Sequence, residues 1–191
     1  MAWMAALLLA LLVLLIGAAG YGVSIYNGLV QVKHQVDQAW ANIDVLLKQR
    51  HDELPKLIDA VKAYLTHERS LLENVTALRT QAQAGGTGTE RVAAEQALTQ
   101  GVSQLLAVAE RYPQLRASEV FVDLQARISA LEEQIAHRRE FYNAAVNINN
   151  VRLEQFPDLL LAAAAGLTRK PPFEALTAER ADVDVGARLT A

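Results

Sequence analysis

The first 32 residues of the chain contain no Asp, Glu, Lys, Arg or His, so all 18 Lys and Arg residues and all 21 Asp and Glu residues follow them. Apolar or small residues dominate as far as Ile25. At about 1.5 Å per residue, a helix ending there is roughly 37 Å long and can cross a hydrocarbon layer of about 30 Å. Trp3 lies near one end, and Tyr21 and Tyr26 near the other, where aromatic rings favour the lipid–water interface. The sequence therefore predicts a transmembrane anchor over residues 1–26.

A cleaved signal peptide is the alternative interpretation, because Gly17-Ala18-Ala19 resembles a cleavage site. However, no Lys or Arg precedes the apolar run, and the run is longer than the roughly 7–15 residues of a signal core. We therefore expect a retained, single-pass anchor in the inner or plasma membrane. Lys33, Lys48 and Arg50 follow the span. Under the positive-inside rule they favour a short outside N-terminus and a cytoplasmic C-terminal body.

The remaining part of the chain, about 165 residues, has the size of one domain. Its mild net charge of −3 gives no reason to expect nucleic acid as a partner. The absence of cysteine excludes disulfides, thiolate metal sites and a cysteine nucleophile. Ala, Leu, Gln, Glu and Arg are abundant, which indicates helices.

Apolar residues at steps of three or four predict four amphipathic helices. The first leaves the anchor and ends at a turn over residues 50–55, where Pro55 follows the candidate cap Asp52. The second covers residues 54–83 and ends at the flexible linker 84–89. The third runs from near residue 90 to Pro113, and the fourth from the cap Ser118 to Phe156-Pro157.

After the fourth helix, a short apolar helix from Asp158 to Ala165 is expected to end at Gly166, and a non-helical tail follows. Short connections make consecutive helices antiparallel neighbours. The predicted fold is therefore all-α: a transmembrane helix leading into an antiparallel up-and-down four-helix bundle over residues 27–166, with a tail over residues 167–191 that packs on the bundle or trails from it.

Most of the chain after the span resembles the LemA family of bacterial membrane proteins. The matching motifs are Tyr26-Asn27-Gly28-Leu29-Val30, the run from Val36 to Leu47, Leu54-Pro55, His67-Glu68, Tyr112-Pro113, the run from Phe121 to Glu132, Tyr142-Asn143, Phe156-Pro157 and Pro172-Phe173. Where the family usually has a second Tyr-Asn pair, this chain has Asn149-Asn150. The resemblance implies a membrane anchor and a helical bundle, and it supplies no catalytic residue.

The sequence offers little support for metal or nucleophilic chemistry. A di-metal bundle needs Glu-x-x-His pairs, and none of His34, His51, His67 and His137 follows a Glu by three residues. Glu133 lies four residues before His137, a spacing that suits a solvent-facing pair as well as a weak ion site. The Gly-rich segment 85–88 lacks the Lys and Ser or Thr of a phosphate loop. We predict no cofactor and no catalytic residue.

Charged residues within the apolar stripes predict a structural polar network. Glu132 and Arg139 interrupt the stripe of the fourth helix, and a buried Arg requires a partner. Suppose that the fourth helix returns to the membrane at the level where the first one leaves it. Because both helices rise by the same amount per residue, each residue of the first helix then lies opposite the residue of the fourth helix whose number, added to its own, gives about 182. This register pairs Arg50 with Glu132 and Trp40 with Tyr142, and it brings Asp44 within one residue of Arg139.

Four asparagines, Asn143, Asn147, Asn149 and Asn150, lie in the fourth helix, where Asn costs a few tenths of a kcal/mol relative to Ala. Asn143, Asn147 and Asn150 share one face. They either fix the register of the bundle by hydrogen bonding or form a polar recognition surface. Asn143 and Asn150 complete the predicted network.

Leu159, Leu160 and Leu161 of the short helix should lie close to the lipid surface. They either cap the base of the bundle or enter the interface, with Arg169 and Lys170 on the headgroups.

The sequence thus predicts a non-enzymatic, membrane-anchored scaffold of the bacterial envelope. The alternative is an enzyme or metal protein with an unrecognised site in the bundle. The expected partners are the bilayer and either membrane proteins or further copies of the chain, with no nucleic acid and no small-molecule substrate.

Overall fold

The computed structural model describes residues 1–84 and 89–173, and this part of the chain is helical without any strand. The predicted all-α class is therefore confirmed. The six helices are α1 (Ala2–Lys62), α2 (Arg69–Gln83), α3 (Thr89–Ala109), α4 (Pro113–Arg116), α5 (Glu119–Glu154) and α6 (Asp158–Ala164).

Helix α1 continues without interruption from the charge-free stretch into the region of periodic apolar residues. By length and composition its N-terminal part can cross a membrane, and the apolar side chains from Leu7 to Ile16 are 53–71% exposed. Ile25 is the first buried residue. Buried positions then recur every three to seven residues at Leu29, Val32, Val36, Ile43 and Leu47. The helix was predicted to continue beyond the apolar stretch, and it does.

The predicted turn at residues 50–55 is wrong, because α1 passes through Pro55 and ends only at Lys62. A proline inside a helix removes one i→i−4 hydrogen bond and costs about 3 kcal/mol. Here the orphaned acceptor is the carbonyl of His51, and Arg79 Nε donates a hydrogen bond to it at 3.0 Å. Leu54 and Leu57 on either side of the proline are fully buried. The second predicted helix is therefore shorter than expected, because residues 63–68 separate α1 from α2.

The described residues divide into two compact units, the first comprising Met1–Leu46 with Ile135–Pro172 and the second Leu47–Gln134 with Phe173. The second unit has the predicted up-and-down order. Arg79 of α2 bonds to His51 of α1, while Glu68 pairs with Arg111 and Leu78 packs beside Gly101 of α3. A Cβ at Gly101 would lie 2.9 Å from Leu78 Cδ1, so glycine lets α2 and α3 approach closely.

The core of the second unit is formed by apolar residues from all four of its long helical segments. It includes Leu54, Leu57, Val61, Leu72, Val75, Leu98, Val102, Leu105, Leu115, Phe121 and Ile128. The predicted cap at the start of α5 is confirmed, because Ser118 Oγ accepts a hydrogen bond from the Phe121 amide at 3.5 Å.

In the first unit, α5 is antiparallel to α1. Gly28 lies beside Arg152, and Trp40 contacts Tyr142 with ring centroids 5.3 Å apart. Helix α6 ends at Ala164, one residue before the predicted end, and Gly166 lies just after it as predicted. With a φ of +66° this glycine adopts the left-handed conformation that ends many helices, and the amide of Leu167 bonds to the carbonyl of Ala162 at 3.0 Å.

Candidate functional site

Arg50 is the centre of a buried polar cluster in the second unit. It lies on the apolar stripe of α1 between Leu47 and Leu54, and it is 0% exposed. Its Nη1 donates to Glu132 Oε1 at 2.7 Å and to Thr99 Oγ1 at 2.6 Å. A guanidinium so far from water is stable only when it is paired. The contact between Arg50 and Glu132 is the one that the register predicts.

Helix α3 contributes Glu95 and Thr99 to the cluster, and α1 contributes His51 beside Arg50. Arg50 Nη2 donates to Glu95 Oε2, whose side chain is 1% exposed. The second oxygen of Glu95 lies 3.0 Å from His51 Nε2. Thr99 Oγ1 lies 3.3 Å from Glu132 Oε2, so the hydroxyl links the acids of α3 and α5. We call Arg50, His51, Glu95, Thr99 and Glu132 the Arg50 cluster.

Burial and charge act in opposite directions on Glu95. Burial alone raises the pKa of its carboxyl, but the hydrogen bond with His51 and the charges of Arg50 and His51 outweigh it. The net effect holds the pKa of Glu95 below its ordinary value. The folded bundle therefore favours the carboxylate.

This lowered pKa predicts acid sensitivity. The stabilisation that Glu95 contributes is complete above the ordinary glutamate pKa and is lost as the pH falls through the lower pKa of the folded state. We expect the free energy of unfolding of the full chain in detergent, measured by urea-dependent proteolysis, to fall in this acidic range. Glu95→Gln should flatten that dependence, and Glu110→Gln, at an exposed position of the same unit, should not. An equally steep loss in Glu95→Gln would contradict this role.

The first unit contains a second partly polar contact between α1 and α5. Trp40 and Tyr142 meet with an interplanar angle of 58°, as the register predicts. The hydroxyl of Tyr142 donates to the carbonyl of Pro171 at 3.0 Å. Burial raises the pKa of Tyr142, and the negative charge of Asp37 raises it further. The phenol is therefore kept protonated, and it holds Pro171 to the helix pair.

Asp44 and Arg139 also belong to the first unit, where Arg139 is buried and Asp44 is half-buried. Their pairing stays a prediction. Because a hydrogen bond to a charged group contributes about 1.5–3 kcal/mol, we expect Arg139→Ala to lower the free energy of unfolding by roughly that amount. Asp44→Ala should add little to Arg139→Ala. Simple additivity of the two losses in a double-mutant cycle would show that the residues do not pair.

The asparagines differ in what they contact. Asn150 Nδ2 donates to the carbonyl of Lys170 at 2.9 Å, and its Oδ1 accepts from the Lys170 amide at 3.0 Å. Asn150 thus binds both main-chain groups of one tail residue. Asn149 is buried and donates to Asn150 Oδ1, Asn143 is half-buried, and Asn147 is exposed. Asn150 therefore bonds to residue 170 after α6, a contact that was not predicted, and the two predicted roles of the four asparagines stay predictions.

The histidines do not converge on an ion site in the described ranges 1–84 and 89–173, where no three His, Asp or Glu side chains form a group able to hold a metal. His137 pairs with Glu140 at 3.7 Å, both being exposed, and its ring contacts Phe141 edge-on. The sequence spacing indicates Glu133, four residues before His137, as its partner. The observed ion pair is instead between His137 and Glu140, which lies three residues after it.

His51, Glu95 and Thr99 were not predicted as members of the network, although a signal for two of them exists. Glu95 lies three residues before Leu98 and Thr99 three residues before Val102, so both lie on the apolar stripe of α3. A polar residue on an apolar stripe is the same signal that singled out Glu132 and Arg139. His51 gives no comparable signal, because the pattern around it predicts a turn.

Comparison with known proteins identifies the family. The LemA family profile matches residues 39–186. The chain belongs to the LemA family. This membership confirms the resemblance that its motifs indicate.

Curated proteins similar to this LemA-family chain carry two kinds of name. Magnetosome protein MamQ 2 of Paramagnetospirillum magneticum is 24% identical over 175 residues, covering 78% of this chain and 64% of that protein. Magnetosome protein MamQ of Magnetospirillum gryphiswaldense is 23% identical over 170 residues, covering 75% and 62%. Protein LemA of Metamycoplasma hominis is 25% identical over 159 residues, covering 83% and 73%. The chain thus spans less than two thirds of the length of these MamQ proteins.

In this LemA-family chain, most polar atoms of the Arg50 cluster bond to one another, and within the described residues only Arg50 Nε and His51 Nδ1 of the cluster are buried without a hydrogen-bond partner. The donors of both Arg50 amino groups are engaged by Glu95, Thr99 and Glu132, and one oxygen of Glu95 faces His51. The open groove between α1 and α2 is lined by other residues, among them Pro55, Ile58, Leu65 and Leu72. The geometry of the cluster therefore suits holding three helices in register.

Proposed function

We propose that this chain is a single-pass, membrane-anchored scaffold of the bacterial cell envelope that presents a helical bundle to membrane proteins or to further copies of itself and catalyses no reaction. One observation carries the proposal. Helix α1 has exposed apolar side chains up to residue 24 and packed ones from Ile25 onward, without a break between the two parts. An apolar surface of this length is stable in a bilayer and costly in water.

The distribution of charge supports an orientation. The basic residues closest to the span, beginning with Lys33, follow it. Positive charges are retained on the cytoplasmic side, so the bundle faces the cytoplasm.

A helical face suited to docking supports the role as a scaffold. Phe141, Ile148 and Val151 of α5 are 55%, 50% and 41% exposed. Their spacings of seven and three residues place them on one side of the helix, the pattern that helices use to contact one another in coiled coils. The bonding within the Arg50 cluster supports the absence of catalysis, because both amino groups of Arg50 are already bonded to Glu95, Thr99 and Glu132.

Photo-crosslinking in the native membrane tests this proposal. A photoreactive amino acid at residue 141 or 148 should capture the same membrane protein, or a second copy of the chain, at both positions. The exposed position Arg138 serves as the control. No adduct, or an equal yield at residue 138, would contradict a docking face. Substrate turnover or stoichiometric metal in the purified full chain would favour the enzyme alternative.

A further inference from the structure

We infer that the exposed apolar side chains of Phe156, Leu159 and Leu160, called here the α6 patch, contact the lipid headgroup region of the bilayer that α1 crosses. The inference rests on the proposed anchoring of α1 and adds a second attachment of the first unit to the membrane.

The register of α1 and α5 places the α6 patch near the end of the span. A Cβ on Gly28 would lie 2.8 Å from Arg152 Nη1, so Arg152 is level with Gly28, three residues after Ile25. Helix α5 runs antiparallel to α1, and its last residue, Glu154, is therefore level with about Tyr26. The chain reaches Phe156 two residues later. Phe156 thus lies where the apolar stretch of α1 ends.

The packing of α6 gives the same position independently. Ala162 is buried against Ile25 and Leu29 of α1 and Leu153 of α5, with Leu161 and Leu167 beside it. One face of α6 therefore caps this end of the helix pair, which is one of the two predicted outcomes.

The opposite face of α6 remains exposed. Phe156 is 80% exposed, Leu160 62% and Leu159 46%. Three large apolar side chains next to a segment that crosses a bilayer gain free energy by leaving water, at about 25 cal/mol for each Å² of apolar surface removed. Tyr26, at the same level of α1, is also exposed and suits the interface. This face fits the second predicted outcome, so α6 both caps the pair and meets lipid.

The charges around the α6 patch are compatible with headgroups. Arg152 Nε and Nη2 both lie 2.7 Å from Asp158 Oδ2, which neutralises the acid at the start of α6. Arg169 pairs with Glu154 at 2.8 Å, both being exposed. Lys170 adds a further cation next to this pair. The surroundings of the patch thus carry more positive than negative charge, as expected for a surface facing phosphates.

Fluorescence quenching in vesicles tests the inference. The chain has no cysteine, so single-cysteine variants can be labelled with an environment-sensitive dye without removing native cysteines. The full chain would carry the label at Phe156→Cys or Leu160→Cys, in phosphatidylcholine–phosphatidylglycerol vesicles containing lipids brominated at shallow or deep positions. Leu12→Cys reports on the span. Val45→Cys, also exposed, lies about 30 Å farther along α1 than Ile25.

We expect dyes at residues 156 and 160 to lose emission with shallow bromines, the dye at residue 12 to lose emission with deep bromines, and the dye at residue 45 to lose none. Quenching at residue 12 without quenching at 156 or 160 would overturn the α6 contact and leave the anchor intact. The α6 contact is also overturned if residues 156 and 160 are shielded from water but unquenched, since a protein would then cover them. Absence of quenching at residue 12 would overturn the anchor itself.

Discussion

Replacing Arg50 with methionine should lower the free energy of unfolding of the second unit by about 3–5 kcal/mol, because it leaves Glu95 buried without its main cation. Methionine fills much of the same volume, so the loss reports on charge more than on a cavity. Urea-dependent proteolysis of the full chain in detergent measures the effect. Lys48→Met, at an exposed position one half-turn earlier on α1, is the matched control and should change stability by less than about 0.5 kcal/mol.

A double-mutant cycle identifies the cause of this loss. If stranded charge is responsible, Glu95→Gln should cost much less in the presence of Arg50→Met than in the wild-type chain. Independent losses would mean that Arg50 acts through packing alone. A loss no larger than that of Lys48→Met would contradict the role of the cluster.

Placing two arginines in the apolar part of α1, as in Leu12→Arg with Leu15→Arg, should release the chain from the membrane or prevent its insertion. Each arginine at the centre of a spanning helix costs roughly 3 kcal/mol, and no acidic partner lies within the span. The measurement is the share of the full chain that stays with membranes after alkaline extraction.

The control for this experiment is Val45→Arg. Val45 is 59% exposed on the same helix but lies outside the apolar stretch. This variant should remain with the membrane. Retention of the doubly substituted chain in the extracted membrane would contradict anchoring by α1, whereas loss of both variants would indicate a folding defect.

The register of α1 and α5 was predictable because one assumption fixed it, namely that both helices meet the membrane at the same level. Trp40 lies opposite Tyr142, and Arg50 opposite Glu132, as that assumption requires. The end of α1 was not predictable. Residues 63–68, which follow the end of α1, contain neither Gly nor Pro to indicate a break. Pro55, which would ordinarily indicate the end of a helix, lies within α1.

The Arg50 cluster was predictable only in part, for a physical reason. A charge on an apolar stripe indicates that some partner exists, and helix geometry located Glu132 on the antiparallel neighbour. Glu95 is contributed by α3, whose register relative to α1 depends on the unpredicted break before α2. Short-range patterns do not contain that information, because it is set by tertiary packing.

The hydrogen bond from Arg79 to the carbonyl of His51 has a consequence for the stability of the end of α1. Without α2 docked, the carbonyl of His51 could bond only to water, because Pro55 has no amide proton to donate to it. The last two turns of α1, from Pro55 to Lys62, therefore gain full helical stability only when α2 docks on them.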